Sequence, residues 1–317
     1  MSRLVTAARN FPRVVIHSWS RDIPPYSYGV LRIALGLLGL LALIGLTPVD
    51  MYWPLDGITP LSGSDSGLRS WLYTNGWGTA AGWAFFVALT VAFTAMTVGL
   101  RSNLAVLCAF IGLVGQVHWN RLPLSSAHQV MVVLIFCLVW TDSGAVLSWD
   151  ARRKRRSGPH PLMMQPAWPL QLMRFQIALI YGSSGLHKLS FPIWRDGSAV
   201  HWAINLNEFH RLPWVIPETA ALAVAFLTWS TLAFELAFPL LVVFKRTRPL
   251  VLIAGVGLHL GLWATMELGP FSQVMVASYI AFLEPATVAK IFQKRDTPPS
   301  LPASLSPKVS DAIRTTV

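Results

Sequence analysis

Charge is scarce in this chain. Lysine, arginine, aspartate and glutamate together make up 12% of its 317 residues. That is about half the share carried by soluble domains, so a fully water-facing surface is not expected. Cysteine is scarcer still: Cys108 and Cys137 both fall inside apolar stretches, and no C-x-x-C occurs. A membrane thiol–disulfide machine needs a pair of reactive thiols, so that class loses its support and both cysteines read as packing residues. The loops also lack a P-loop, a G-x-G-x-x-G after a strand and H-E-x-x-H. Nucleotide-binding and zincin chemistry therefore have no footing, and no metal is indicated.

What the chain does hold is apolar residues, at 54%, with 14 tryptophans and 22 prolines. Tryptophan favours the membrane interface, and proline is tolerated in spans whose neighbours satisfy the freed backbone groups. Runs of roughly 20 apolar residues match the bilayer core. They occur at about 28–46, 79–100, 103–119, 128–147, 169–189, 220–244, 250–266 and 271–282, the last being short. The expectation is an all-α integral membrane protein, a polytopic bundle of about eight transmembrane helices. A net charge of +11 suggests nucleic acid at first sight. The cations sit in short clusters between apolar runs, however, and nucleic acid is not expected as a partner.

Those clusters alternate. Arg3, Arg9, Arg13 and Arg21 precede the first run; Arg101, the stretch ARRKRR at 151–156, KRTR at 245–248, and Lys290, Lys294 and Arg295 follow even-numbered runs. Mixed charge fills the other connections: Asp50, Asp56, Asp65 and Arg69, then Arg121, then Arg195, Asp196, Glu208 and Arg211, then Glu267. The positive-inside rule puts both termini of a multi-pass cell-membrane protein in the cytoplasm. No small-residue cleavage motif follows the first run, which reads as retained. Segment 1–27 is basic, either an interfacial amphipathic helix or a disordered tail. The membrane domain is assigned to 28–285, and the Pro/Ser-rich cytoplasmic tail 286–317 is expected to be disordered.

An ionisable group inside a bilayer costs at least ~2.5 kcal/mol on insertion scales. The topology places Lys188, His128, His118 and Arg121 at the outer ends of their spans and His259 past the middle on the way out. His201 and Glu267 lie in adjacent outer loops. Titratable groups thus gather in one slab near one face. Each has a bland alternative. Lys188 at a helix end is favoured to snorkel to the interface rather than to catalyse. His118 and His128 read singly as hydrogen-bonded interface residues. Arg32 and Arg174, nearer the inner side, read as buried ion-pair partners, and Glu235 in mid-span as the carboxylate that pairs with one of them. The Trp-rich stretch 191–214 reads as an aromatic belt.

The stretch YGSSGLHKLSFPIWRDGSAV at 181–200 resembles the most recognisable segment of the vitamin K-dependent gamma-carboxylases and their bacterial relatives, which share the horizontally transferred transmembrane (HTTM) domain. The pattern is an aromatic, small residues, a basic residue, Lys-Leu, a spacer and Trp-x-x-Gly, here Tyr181, Gly185, His187, Lys188, Leu189, Trp194 and Gly197. SSAHQVMVVLIF at 125–136 and HLGLWATMELGPFSQVMVAS at 259–278 are similar to two histidine segments of the same family. The first span with Arg32 fits too, and the likeness covers about 21–283.

The resemblance implies an HTTM/vitamin K-dependent gamma-carboxylase-like fold and a set of roles. Lys188 would deprotonate a reduced isoprenoid quinone, menaquinol or vitamin K hydroquinone. Oxygen then makes a strong base that takes a glutamate gamma proton before carbon dioxide adds. His128 and His259 would complete the catalytic group, and His187, Trp194 and Gly197 would lie on the substrate side. Burial disfavours an ammonium ion, which is how a lysine comes to act as a base. Departures accompany the likeness: His187 stands where the carboxylases have lysine, and only a short tail follows the apolar part. Quinol epoxidation is expected to tolerate that, and propeptide-directed carboxylation is not. The relatives also include sporulation-delaying protein B, which serves maturation of a secreted peptide toxin. Enzyme and non-catalytic accessory protein for a secreted peptide or protein both stay open, with the lipid bilayer as partner in either case. Transport has slight support, since no inverted repeat is visible.

Overall fold

The computed structural model describes residues 16–53, 67–119, 125–158, 161–209, 211 and 217–296. Each predicted apolar run contains a helix: α1 (Tyr26–Ile44), α2 (Gly78–Val98), α3 (Ser102–Trp119) and α4 (Ser126–Val139). After a basic helix, α5 (Trp149–Arg156), come α6 (Trp168–Leu189), α7 (Ala221–Leu241), α8 (Arg248–Thr265), α9 (Phe271–Ser278) and a last helix, α10 (Pro285–Asp296). The described strands are β1 (Asp22–Ile23) and β2 (Gln165–Pro166), a two-residue antiparallel pair. The fold is an all-α polytopic membrane bundle.

Among the described residues the number of crossings is smaller by a strict measure than the eight expected. Helices α1, α2, α3, α7 and α8 are long and apolar enough to cross a bilayer, and a sixth crossing results if Phe271–Phe282 is joined across a 97° bend to Pro285–Gln293. Helix α4 has only 14 residues. Helix α6 has 22 but spends three of its positions on Arg174, His187 and Lys188.

Sequence neighbours pack as neighbours, α1 on α2, α2 on α3, α3 on α4, α4 on α6, α6 on α7 and α7 on α8, and α9 returns to α4 and α1. Leu31, Leu35, Phe93, Met131, Leu134, Met173, Ile177, Phe238 and Val274 fill the interior. The outer surface is apolar as well: Leu222 is 89% exposed, Leu250 71% and Ile253 69%. A helix apolar all round needs a solvent of hydrocarbon, so this surface faces lipid.

The two ends of the bundle sort the loops as the charge pattern predicts. At one end the Asp150 carboxylate accepts from Ser102 N (2.7 Å) and Arg101 N (3.0 Å), Ala167 N donates to Arg21 O, and Arg248 Nη1 donates to Phe282 O. At the other, Arg69 Nη1 donates to His118 O, Trp119 Nε1 to Trp53 O, and Arg211 pairs with Glu267 at 2.9 Å. Segments expected on one membrane side therefore meet one another.

Both inner arginines depart from the ion-pair expectation. Arg32 is fully buried and donates to the carbonyls of Thr97 (3.0 Å), Met96, Ser143 (3.1 Å) and Leu147 (2.7 Å). The guanidinium fork takes the orphan carbonyls at the end of α2, where the helix dipole is negative. Arg174 donates to the Ala281 and Leu283 carbonyls at 2.6 and 3.2 Å. Backbone dipoles replace a carboxylate in each case.

The segments outside the membrane domain are partly described. Residues 16–20 are helical, and the amphipathic segment proposed for the rest of the N-terminus lies outside the described residues. The expected tail opens as α10, whose Phe292 ring stacks on Tyr26 at 6.5 Å, so its first residues belong to the bundle. Residues 297–317 are not among those described.

Candidate functional site

Helix α6 places Tyr181, Ser184 and Lys188 at i, i+3 and i+7, one stripe of a 3.6-residue helix. The stripe faces α7 closely because Gly185 leaves room: a Cβ there would meet Leu236 side-chain atoms at 2.9 and 3.0 Å. That approach brings Glu235 of α7 to Lys188. Lys188 Nζ donates to Glu235 Oε1 at 2.6 Å, to Glu235 Oε2 at 2.7 Å and to Ser184 Oγ at 2.8 Å. The lysine side chain is 22% exposed and the glutamate 10%.

Snorkelling outward is therefore not what Lys188 does. Side chains on a helix lean toward its N-terminus, so a lysine near the C-terminal end of α6 points back into the membrane. The expectation that Glu235 would pair with Arg174 or Arg32 is corrected in the same stroke. An ammonium has three N–H donors and no acceptor, and here all three are used. The Trp194 ring lies 5.0 Å from Nζ and adds a cation–π contact.

His259 lies one layer away, 2% exposed on α8. Its Nε2 is 2.6 Å from the Tyr181 hydroxyl, which in turn is 2.5 Å from the Tyr279 hydroxyl. Phe234 and Phe238 of α7 close over Tyr181 at ring distances of 5.4 and 4.2 Å. Phe234 adjoins Glu235, so α7 touches both polar groups of α6 with consecutive residues. His259 Nδ1 is buried with no partner among the described residues.

Trp194 and Phe234 also wall a cavity of about 430 Å³ between α7, α8 and the short helix Ala199–Asn205. Leu227, Leu258, Leu262 and Met266 make it mostly apolar, and Ser230, Thr231 and Thr265 place hydroxyls in its wall. Its size and character are those of small-molecule sites.

The remaining expected site residues divide. His128 lines a separate cavity of about 200 Å³ with Gln116, Leu43, Phe93, Met131 and Pro270. Among the described residues its Nε2 is buried without a partner and it shares no hydrogen bond with Lys188. His187 is exposed and packs edge-on against Phe191 at 5.0 Å. Gly197 has φ +87° and sits where a Cβ would meet Ala225 and the Trp229 ring at 3.1 Å. Its role in the structure is to let the 190s segment turn against α7. Arg121 and Trp214 lie outside the described residues; Trp202 is 58% exposed. Among the described residues no cluster of three or more His, Cys, Asp or Glu could hold a metal.

Sequence reasoning missed Glu235 as the partner of Lys188, and missed Tyr279 altogether. The available signal for the first was the cost of a mid-span carboxylate, which demands a cation, combined with the inward lean of Lys188. Tyr279 gave none, because a tyrosine near the end of a short apolar run is ordinary.

The architecture and the lysine-bearing stripe define a class of helical membrane protein, and a sequence profile of the HTTM domain matches residues 20–286. The chain belongs to the HTTM domain family. It is related to the membrane domain of the gamma-carboxylases. It is similar to "Uncharacterized protein YitO" of Bacillus subtilis (strain 168), 26% identical over 186 residues, 54% of this chain and 60% of that relative's length. The matched part thus falls short of two thirds of the relative. No solved structure matches.

Proposed function

We propose that this chain is a multi-pass cell-membrane enzyme that takes a proton from a reduced isoprenoid quinone. Lys188 and Glu235 act as one acid–base pair. The observation that carries the reading is the saturated Lys188–Glu235 pair sharing the Trp194 wall with an apolar cavity of about 430 Å³. A flat aromatic ring with an isoprenoid chain suits walls of tryptophan, phenylalanine and leucine. When bound, the quinol would supply the reducing equivalents for oxygen.

The residues do the proton work. An ammonium with three bonds has no lone pair, so Lys188 becomes a base only when one of its protons passes to Glu235 along the 2.6 Å bond. Both carboxylate oxygens lie within 2.7 Å of Nζ, so the proton has a short path between amine and acid. The amine would then be placed to take a proton from a bound quinol, and the restored ammonium to offset negative charge beside it. Ser184 and Trp194 fix the direction of Nζ. His259 with Tyr181 and Tyr279 forms a second polar group near the dyad, whereas His128 lines a different cavity. The basic end of the bundle faces the cytoplasm with both termini.

Oxidation of menaquinol or vitamin K hydroquinone by the reconstituted protein, compared with Lys188→Arg, tests this. An arginine keeps a cation for Glu235 but stays protonated, so it serves structure and not base chemistry. An accessory protein for a secreted peptide would keep its function with arginine.

A further inference from the structure

A second site lies at the basic end, away from the dyad. Helix α5, WDARRKRR, carries five consecutive cations, all exposed. It is clamped rather than loose. Ser148 caps it by accepting from Ala151 N at 2.8 Å. Asp150 is bound by the backbone N–H groups of Arg101 and Ser102 and by the Ser102 hydroxyl at 2.9 Å. Arg101 has φ +45°, which turns its N–H and the next toward one point. Burial pushes the Asp150 carboxyl up, but these hydrogen bonds and the nearby Lys154 charge outweigh it and hold it below the usual carboxylate range.

The clamp leaves a groove of about 510 Å³ between α5 and the start of α3, bordered by Arg101, Asn103, Leu104, Arg153, Lys154 and Ser157. The carboxylates of Asp142 and Asp150 also border it, and the second of these is already satisfied by backbone donors. Three cations, with Arg152, Arg155 and Arg156 beside them, leave the groove positive. Directly toward the membrane, Leu104, Leu107 and Ile111 form an exposed apolar strip on α3, 52%, 39% and 59% exposed. Trp149, at the start of α5, is also exposed, as interfacial tryptophans are. A charged pocket whose floor runs into a lipid-facing apolar strip matches a ligand with an anionic head and acyl chains. A soluble phosphate compound has no use for the strip.

We infer that the groove between α5 and α3 binds the phosphate headgroup of an anionic lipid of the inner leaflet, with its chains along Leu104, Leu107 and Ile111. Arg153 and Lys154 contact the phosphate, and the Asn103 side-chain amide donates to its oxygens.

The full-length chain in phosphatidylcholine bilayers containing a trace of spin-labelled phosphatidylglycerol, or of the same label on phosphatidylcholine, tests the site by the immobilised fraction of each. The wild type is expected to hold phosphatidylglycerol selectively. The pair R153Q/K154Q should cut that selectivity by about fivefold or more, since both direct charge-assisted contacts to the phosphate are lost. The pair K245Q/R246Q removes the same charge from exposed positions elsewhere at this end and should leave most of it. Equal loss in both pairs overturns the site in favour of a diffuse basic surface, and no selectivity in wild type overturns it outright. Displacement of phosphatidylglycerol by inorganic phosphate well beyond chloride of equal ionic strength overturns the lipid assignment in favour of a free-phosphate site.

Discussion

Tyr181 and Lys188 stand two turns apart on one face of α6, and consecutive residues of α7, Phe234 and Glu235, meet them: the ring lies on Tyr181 and the carboxylate on Lys188. Helix rise makes the separation about 10 Å. A single helix–helix contact therefore aligns the charged pair, the tyrosine–histidine group and the wall of the apolar cavity. Any change in how α6 and α7 pack moves all three together.

The charged pair is expected to be costly to break and cheap to remove. Lys188→Met or Glu235→Leu alone leaves a charge poorly compensated in a buried setting, at about 3–5 kcal/mol. The double replacement Lys188→Met/Glu235→Leu should recover most of that loss. Thermal unfolding in detergent of the four proteins gives the coupling directly. Additive losses would show that the two groups do not depend on each other.

Arg32 should behave differently. It has no carboxylate to strand, but its removal leaves four carbonyl acceptors at the α2 end and the 143–147 loop without donors. Each unsatisfied buried group costs on the order of 1–3 kcal/mol. Arg32→Met is expected to abolish stable expression, and Arg32→Lys to rescue only part of it, because one ammonium cannot reach all four. Folded yield by size exclusion checks both. Full stability in Arg32→Met would contradict the clamp.

Gly197→Ala should destabilise by about 1–3 kcal/mol, because φ +87° is strained for any residue with a Cβ and the added methyl meets Ala225 and Trp229. The same shift displaces Trp194, so quinol binding is expected to weaken as well, measured by quenching of tryptophan fluorescence with a quinone titrated into bilayers.

Asp150 links stability to pH. Its folded carboxyl titrates below the ordinary value, so the unfolded state binds a proton first as pH falls. The stabilisation is complete above the unfolded value near 4 and is lost as pH drops toward the folded one. Unfolding midpoints between pH 6 and pH 3 should fall more steeply for wild type than for Asp150→Asn. Identical slopes would remove Asp150 from the account.

Much of this was legible beforehand, for physical reasons. Hydrocarbon demands long apolar runs, so the eight helical segments and the two sets of loops could be read from hydropathy and charge. Lys188 and its segment stood out by resemblance. Partners did not. The fate of Glu235 depended on the lean of a lysine side chain and on the closeness allowed by Gly185, both three-dimensional quantities. Arg32 and Arg174 misled because sequence shows side-chain charges but hides the carbonyls at helix ends, which are equally good counter-dipoles. His128 and Lys188 sit on helices that pack together, yet His128 turns to a cavity of its own: equal depth does not point two side chains at one place.

The central claim is that Lys188, released by Glu235, acts as a base toward a quinol. The most direct measurement is epoxide formation from reduced menaquinone or vitamin K under oxygen. It is followed by chromatography for wild type, Lys188→Arg, Lys188→Ala and Glu235→Gln, all confirmed as folded in nanodiscs. The account predicts epoxide from wild type and at least a hundredfold less from each variant, the loss expected when a general base is removed. Equal epoxide from wild type and Lys188→Arg, or none from wild type above the protein-free control with quinol delivery confirmed, would contradict it.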